Sequence, residues 1–158
     1  MDELVSWSRR VRFPPIGDSV GKARDFTTLH LSDHDLEGLI DDVRLVTSEL
    51  VTNAIQHAKT AFTVVLEGDT RMVRVTVSDE SASRPSLTTP TASDAEGWGL
   101  RIVQSISHDW GVVDRTRTGK SVWATFAVSD YAVLSHYLGE GVAPELDGPP
   151  PQPGRGRR

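Results

Sequence analysis

Hydrophobic and polar residues follow two different periods along the chain, and each change of period predicts a change of element. Residues 5–13 alternate apolar and polar side chains, as a half-buried strand does. Residues 19–31 and 32–58 instead carry apolar side chains at helical spacing. We therefore expect one strand and then two helices, the second of which is the longest periodic segment of the chain.

Polar residues in front of the two helical segments are candidate N-caps. Asp18 or Ser19 stands at the start of the first segment, and Ser32 or Asp33 opens the second. Side chains of this kind accept hydrogen bonds from the free N–H groups of a first helical turn. These residues are therefore the predicted helix starts.

The second half of the chain has the pattern of two hairpins with a helix between them. Strand-like runs cover residues 61–68 and 72–79, a helical pattern covers 99–110, and strand-like runs return over 111–117 and 120–128. The order is then β-α-α-β-β-loop-α-β-β. It predicts an α+β two-layer sandwich, in which a mixed, mostly antiparallel sheet is covered on one face by three helices.

Two segments have the composition of irregular chain. Residues 80–97 are rich in Ser, Thr, Pro and Ala, and a connection of that length inside a domain is usually a functional lid or disordered. Residues 130–158 are rich in Pro and Gly and end in basic residues, which is typical of a disordered tail. We expect a single domain over 1–129 followed by this tail.

Composition narrows the classes of protein that fit. The 158 residues are 37% hydrophobic and 25% charged, which is ordinary for a globular chain, and the absence of cysteine excludes disulfides and thiolate sites. The net charge of -5 disfavours nonspecific nucleic-acid binding. No apolar run has membrane-spanning length, and the N-terminus lacks the layout of a secretory signal. The cytoplasm is the expected location, and small molecules and proteins are the expected partners.

The long helical segment contains three polar residues spaced four apart: Glu49, Asn53 and His57. On a helical wheel centred on Val43, Glu49 and Asn53 fall roughly 80–120° to one side, at the rim of the buried face. His57 falls nearer the core side of the same rim. Taken singly, each has an ordinary structural explanation, such as a solvated charge or a residue at a helix end. Together they can form one wall of a pocket.

Two further features supply possible walls for the same pocket. Asp79 ends a strand, a position where turn formers and ligand-reading groups both occur. Gly97 and Gly99 stand in front of a helical pattern, where the backbone can approach an anion and the helix start offers free N–H groups. Arg101 would lie in the first turn, within reach of a phosphate.

The order of these features resembles a known ATP-binding domain. That domain is the Bergerat or GHKL fold, shared by DNA gyrase and histidine kinases, and the likeness is strongest to its small branch of anti-sigma factor serine/threonine kinases, common in actinomycetes. The stretch "SELVTNAIQHA" looks like the N-box of that branch, "VSDES" and "EGWGLRIVQSISHDWGV" like its two glycine boxes, and "GKSVWATF" like its closing strand. The resemblance covers about residues 5–128.

The resemblance implies roles for three residues above all. Asn53 would hold a Mg²⁺ ion that bridges the phosphates of ATP, with phosphate oxygens and waters as the other ligands. Glu49 would orient or deprotonate the attacking hydroxyl. Asp79 would accept a hydrogen bond from the adenine amino group.

Other residues would support the nucleotide. The segment from the second glycine box into the first helical turn would cradle the phosphates, His57 would have a supporting role, and residues 80–96 would form a lid ordered by nucleotide. The first glycine box departs from its usual pattern, because Ser81 and Ser83 stand where glycines are common. The full predicted set of nucleotide-contacting residues is Asn53, His57, Asp79, Ser81, Gly97, Gly99, Leu100 and Arg101.

Three functions fit this reading. The chain could be a kinase that phosphorylates an anti-anti-sigma factor and alternately sequesters a sigma factor, since added phosphate would reject the first partner. It could instead be a non-catalytic module in which ATP orders the lid and so gates protein binding, which the serines of the first glycine box favour. A histidine kinase catalytic domain is the third reading, and it would need a phosphoacceptor histidine on another chain.

The resemblance also implies a homodimer, with residues 5–13 as a free sheet edge able to pair. No direct contact with nucleic acid or membrane is expected.

Overall fold

The structure is a computed structural model that describes residues 6–81, 95–115 and 118–128. In this part of the chain the elements are β1 (Trp7–Phe13), α1 (Asp18–Asp33), α2 (Ile40–Asn53), β2 (Phe62–Gly68), β3 (Met72–Asp79), α3 (Ala95–Ile106), β4 (Asp109–Asp114) and β5 (Lys120–Ala127). A 3₁₀ turn, Glu37–Leu39, precedes α2, and a π-helical turn, Ala54–Ala58, follows it. The predicted tail, residues 130–158, lies outside the described residues, as does most of the predicted lid.

The five described strands form one sheet in the order β1-β2-β3-β5-β4. Each of their four pairings is antiparallel. Because successive side chains of a strand point to opposite faces, the register brings alternate residues of the central strands to one side. Those residues are buried beneath the helices: Phe62, Val64, Leu66, Val73, Val75, Val77, Ala124 and Phe126. The expected α+β two-layer sandwich is confirmed, with an antiparallel sheet and β1 at one edge.

Helix α2 is the centre of the helical layer, because it packs against α1 on one side and α3 on the other and also contacts the sheet. Its inward stripe is Val43, Val46, Leu50 and Val51, none of which is more than 2% exposed. Burying four such side chains contributes several kcal/mol of hydrophobic free energy, roughly 1.5–3 kcal/mol for each large one. The rotation of α2 about its own axis is therefore firmly determined.

The end of α1 is held to the sheet edge by two rings. The indole of Trp7 stacks on the imidazole of His34, with ring centroids 4.0 Å apart and planes 9° from parallel. Trp7 also lies over Gly68, where an added Cβ would come within 2.9 Å of its ring. Burial, and then the charge of Arg9, lowers the pKa of His34 below its usual value, which favours the neutral imidazole in this stack.

The predicted N-caps of the first two helices are wrong. Gly17 occupies the N-cap position of α1 and makes no side-chain cap. Ser19 is buried in the first turn and donates instead to the carbonyl oxygen of Pro14 at 2.8 Å, so the preceding turn satisfies the hydroxyl. Ser32 and Asp33 belong to the last turn of α1 and do not open α2.

The bounds of the third helix also differ from the prediction. Helix α3 begins at Ala95 and ends at Ile106, whereas the pattern placed it over residues 99–110. Residues 109 and 110 are already in β4, where Trp110 pairs with Ala124. Strand pairing satisfies the backbone there, and it overrides the helical pattern at the end of that segment.

A buried hydroxyl in α2 offers a test of the packing. Thr47 is fully buried, and its Oγ1 has no hydrogen-bond partner among the described residues. An unsatisfied buried hydroxyl is destabilising, so Thr47→Val, which keeps the shape and β-branching, should raise the free energy of unfolding by about 1 kcal/mol.

Thr27→Val is the matched control for a denaturant titration of both variants. Thr27 is equally buried, yet it donates to the Arg24 carbonyl at 2.8 Å, so its replacement should bring no gain. A Thr47→Val protein that is no more stable than the unmodified protein would contradict this view of the helix interface.

Candidate functional site

The ends of α2 and β3 meet at the same end of the domain. After Asn53 the chain makes the π-helical turn and reverses at Lys59, whose φ of 54° is left-handed. It then enters β2 at Phe62, whose partner in the neighbouring strand is Asp79. The π-helical turn, the reversal at Lys59 and the pairing of β2 with β3 therefore bring the polar end of α2 close to the last residue of β3.

Asp79 continues the inward-facing series of β3 and is only 5% exposed. Its Oδ1 accepts hydrogen bonds from the backbone N–H groups of Ser81 at 3.0 Å and Lys120 at 3.3 Å. Its Oδ2 lies 3.9 Å from the ammonium nitrogen of Lys120, an ion-pair separation that is too long for a hydrogen bond. One oxygen of this buried carboxylate is thus fixed by the backbone, and the other can still accept a hydrogen bond.

Gly119 is what allows β5 to begin so close to this carboxylate. Its φ is +111°, and an added Cβ would lie 2.0 Å from the carbonyl oxygen of Asp79. Only glycine combines that backbone conformation with that approach. Gly119 and Lys120 were missed as site residues, because the "TGK" segment carries only the signal of a hairpin turn. Extending the β3–β5 register by one pair beyond Ser78 and Ser121 sets Lys120 opposite Asp79, with Gly119 next to it in the chain.

Helix α3 lies directly against the polar rim of α2. A Cβ added to Gly99 would lie 2.6 Å from Oε2 of Glu49 and 3.8 Å from Nδ2 of Asn53. Glu49 and Asn53 are each half-buried, as the helical wheel indicates for a rim position. The structure therefore brings Glu49, Asn53 and Gly99 together, three residues that the sequence singles out separately.

The other glycine of the predicted cradle lies within α3 and not before it, since the helix starts two residues earlier at Ala95. The free N–H groups of the first turn therefore include that of Gly97 but not that of Gly99. Of the two residues that follow Gly99, Leu100 is half-buried and Arg101 is exposed. Their predicted contacts with a nucleotide stay predictions.

His57 is placed differently from what the wheel indicates. It lies in the π-helical turn and is exposed, not on the core side of the rim. A π-helical turn is wider than an α-helical one, so a wheel drawn with a single helical period misplaces residues towards the end of this turn, His57 among them. Such turns occur often at functional sites, and this one directly follows Asn53.

The donor set determines how a metal ion would be held. In the described ranges no three His, Asp or Glu side chains are grouped so that they could hold a metal. Near Asn53 the protein offers an amide and the carboxylate of Glu49, which are oxygen donors suited to Mg²⁺ but too few to complete its shell. Mg²⁺ bound here would take most of its ligands from water and from a phosphate-bearing ligand, and the residues present fit that arrangement.

The uncovered face of the sheet carries an open depression, and Asp79 is the only one of the site residues named above that also lines it. Arg10, Arg74 and Trp123 are among the residues that line it. Glu49, Asn53 and Gly99 do not line it, because they lie on the helical side of the sheet.

Comparison with known proteins identifies the fold family. The family described as "Histidine kinase-like ATPase domain" matches residues 13–126, which include every described element from α1 to β4 and all of β5 except its last residue. The chain belongs to the histidine kinase-like ATPase family. The match contains Glu49, Asn53, Asp79 and Gly99, so the clustered residues all lie inside the ATPase-family domain.

Other comparisons add little to this ATPase-family assignment. No curated protein matches the chain. A solved structure that resembles it is the histidine kinase domain from the blue-light activated histidine kinase of Erythrobacter litoralis EL346, with 23% identity and a TM-score of 0.46. The match covers 77% of this chain and 64% of that one, so the chain spans less than two thirds of the matched domain's length. In the described part of this ATPase-family chain, no helix is long and apolar enough to cross a membrane.

Gly119→Ala tests whether the approach of β5 to Asp79 shapes the site. A methyl group would be forced into the backbone of Asp79 at a φ that alanine avoids, so the variant should lose at least about 2 kcal/mol of unfolding free energy. Gly17→Ala is the control, since an added Cβ there meets nothing within 4 Å. Thermal unfolding measures the melting temperatures of both variants. Equal melting temperatures of Gly119→Ala and Gly17→Ala would refute the close approach of β5 to Asp79.

Proposed function

We propose that this chain binds Mg·ATP between α2, Asp79 and α3, and transfers the terminal phosphoryl group to a serine or threonine hydroxyl of a protein partner. The observation that supports this most strongly is the contact of Gly99 with Glu49 and Asn53. It supports a site in which the first turn of α3, just before Gly99, offers its free N–H groups near a carboxylate and an amide, with the buried carboxylate of Asp79 at the same end of the domain.

Asp79 fits the role of the base-reading residue. Two backbone N–H groups hold its Oδ1, so the direction of the carboxylate is set before any ligand arrives. Oδ2 is then available to accept from the amino group of adenine. Because Asp79 is only 5% exposed, a mismatched base would leave a desolvated carboxylate oxygen without a donor.

Asn53 and the first turns of α3 fit the phosphate end. The amide oxygen of Asn53 is a hard ligand for Mg²⁺, which would neutralise charge on the phosphates to which it binds. Gly99 keeps the α3 backbone close to Asn53, and a larger residue there would displace the side chain of Glu49. The helix start adds a partial positive charge.

Glu49 fits the role of base, because it lies one turn before Asn53 on the same rim of α2. In the proposed transfer the partner's hydroxyl oxygen forms a bond to the terminal phosphorus, and the bond from that phosphorus to the bridging oxygen breaks, which releases ADP. Glu49 orients the hydroxyl and accepts its proton.

The regulatory role that we propose follows the resemblance of the N-box. The phosphorylated partner would be an anti-anti-sigma factor, and the chain would alternately bind a sigma factor. A phosphate placed in the first interface adds charge that must be desolvated, which would weaken that complex and leave the chain for the second partner. A homodimer is part of the same proposal, and β1 at the sheet edge is a strand with which another chain could pair.

A second candidate function is supported by Ser81. Its N–H is already bonded to Asp79, and serine has less backbone freedom than the glycine common at this position in the resembling family. In that case ATP would bind and gate partner association without turnover.

Two variants in α2 separate binding from transfer. Asn53→Ala should abolish Mg·ATP binding with the fold intact, because it removes the metal ligand. Glu49→Ala should still bind ATP and should lose phosphoryl transfer by at least about a hundredfold, the low end for a missing general base. Calorimetry measures the binding, and labelled ATP with the partner protein measures the transfer.

Gln56→Ala is the control, since Gln56 is exposed near the same end of the helical segment and has no assigned role. Normal ATP binding by Asn53→Ala would refute the assignment of the metal ligand. Wild-type protein that binds ATP and its partner but transfers no phosphate would refute the kinase and leave the gating function.

A further inference from the structure

Lys120 has an unusual position for a lysine. Its side chain is only 17% exposed, although lysine is almost never buried unless it is paired. Lys120 is the first residue of β5, an interior strand of the sheet, and its side chain lies beside the buried carboxylate of Asp79. The burial of the Lys120 side chain must therefore be explained by the groups that it contacts.

Strand register explains why Lys120 lies in the site. Val122 and Ala124 of β5 face the helices opposite Val77 and Val75 of β3. Two residues earlier in the same alternation, Lys120 also faces the helices. Its side chain consequently approaches Asp79 on the ligand side of the sheet and not on the uncovered face.

The separation of the two charges is informative. The Lys120 ammonium nitrogen and Oδ2 of Asp79 are 3.9 Å apart, whereas a charge-assisted hydrogen bond would measure about 2.7–2.9 Å. Lys120 thus offsets the charge of the buried Asp79 carboxylate. At this distance the ammonium group makes no hydrogen bond to that carboxylate. A hydrogen-bond acceptor, Oδ2, and a hydrogen-bond donor, Nζ, lie side by side at the base end of the site.

The edge of adenine carries the complementary pair. Its amino group donates, and the ring nitrogens that flank it, N1 and N7, accept. We propose that Lys120 recognises adenine together with Asp79, an inference that rests on the proposed function. Oδ2 of Asp79 accepts a hydrogen bond from the amino group, and Nζ of Lys120 donates one to a flanking ring nitrogen. Lys120 is then a specificity-determining contact as well as a counter-charge for Asp79.

The test measures binding of ATP, 1-deaza-ATP and 7-deaza-ATP, each with Mg²⁺, to the full chain by calorimetry. Each analogue lacks one ring acceptor and keeps the amino group. Unmodified protein should bind one of the two analogues about tenfold more weakly than ATP, the loss expected for a hydrogen bond to a charged donor. Lys120→Met should bind ATP more weakly and should bind ATP and that analogue with affinities equal within about twofold.

The comparison of analogues within one variant cancels general damage to the pocket. Lys22→Met is the control, because it makes the same substitution on the exposed face of α1 and should keep the unmodified discrimination. If Lys120→Met fails to fold, Lys120→Gln replaces it, with a neutral donor and a shorter reach, and should likewise lose most of the discrimination.

Two results would overturn the inference while the proposed function stands. One is that unmodified protein binds ATP and both analogues equally, and the other is that discrimination persists when Lys120 is replaced. Absence of any ATP binding by the unmodified protein would instead overturn the proposed function, and this inference with it.

Discussion

The burial of one stripe of α2 is the constraint on which the rest of the structure depends. Val43, Val46, Leu50 and Val51 are buried against the sheet and the neighbouring helices, so α2 cannot rotate without exposing them. That rotation places Glu49 and Asn53 at the rim, half-buried, where they face α3. A polar pair deeper in the core would cost desolvation without a partner, and a pair facing water would have no wall opposite it. The position at the rim is thus a direct consequence of hydrophobic packing.

The sheet supplies the other half of the site by an equally simple rule. Alternation along β3 turns Asp79 to the same side as the buried valines, and antiparallel pairing brings the start of β5 beside it. Gly119 permits the close backbone approach, and the N–H of Lys120 helps to fix the carboxylate. The candidate site is in this way formed by the ends of elements whose interiors are ordinary core.

Much of this architecture can be predicted from residue patterns, for identifiable reasons. Long periodic segments such as α2 and the β2–β3 hairpin have strong signals in the sequence. Glu49, Asn53 and Asp79 are recognisable as candidate site residues because their types and spacing also resemble those of a known family. The N-cap of α1 could not be predicted, since Ser19 bonds to Pro14 through a turn geometry that the sequence does not show.

His57 and the bounds of α3 illustrate a different difficulty. The π-helical turn after Asn53 changes the helical period within one segment, and periodic analysis assumes that the period is constant. The first residues of β4 continue a helical pattern in the sequence, but pairing with β5 makes them a strand. Lys120 and Gly119 were missed because their role depends on strand register, which a single chain reveals only after its pairing partners are known.

Titration of Mg·ATP into the unmodified protein and into Asp79→Asn tests the central claim most directly. The N–H groups of Ser81 and Lys120 would hold the amide oxygen at the position of Oδ1, so the amide nitrogen would replace Oδ2 and meet the adenine amino group donor to donor. We predict saturable binding to the unmodified protein and at least about tenfold weaker binding to the folded variant. Equal affinity of the two proteins for ATP would contradict the placement of the base at Asp79.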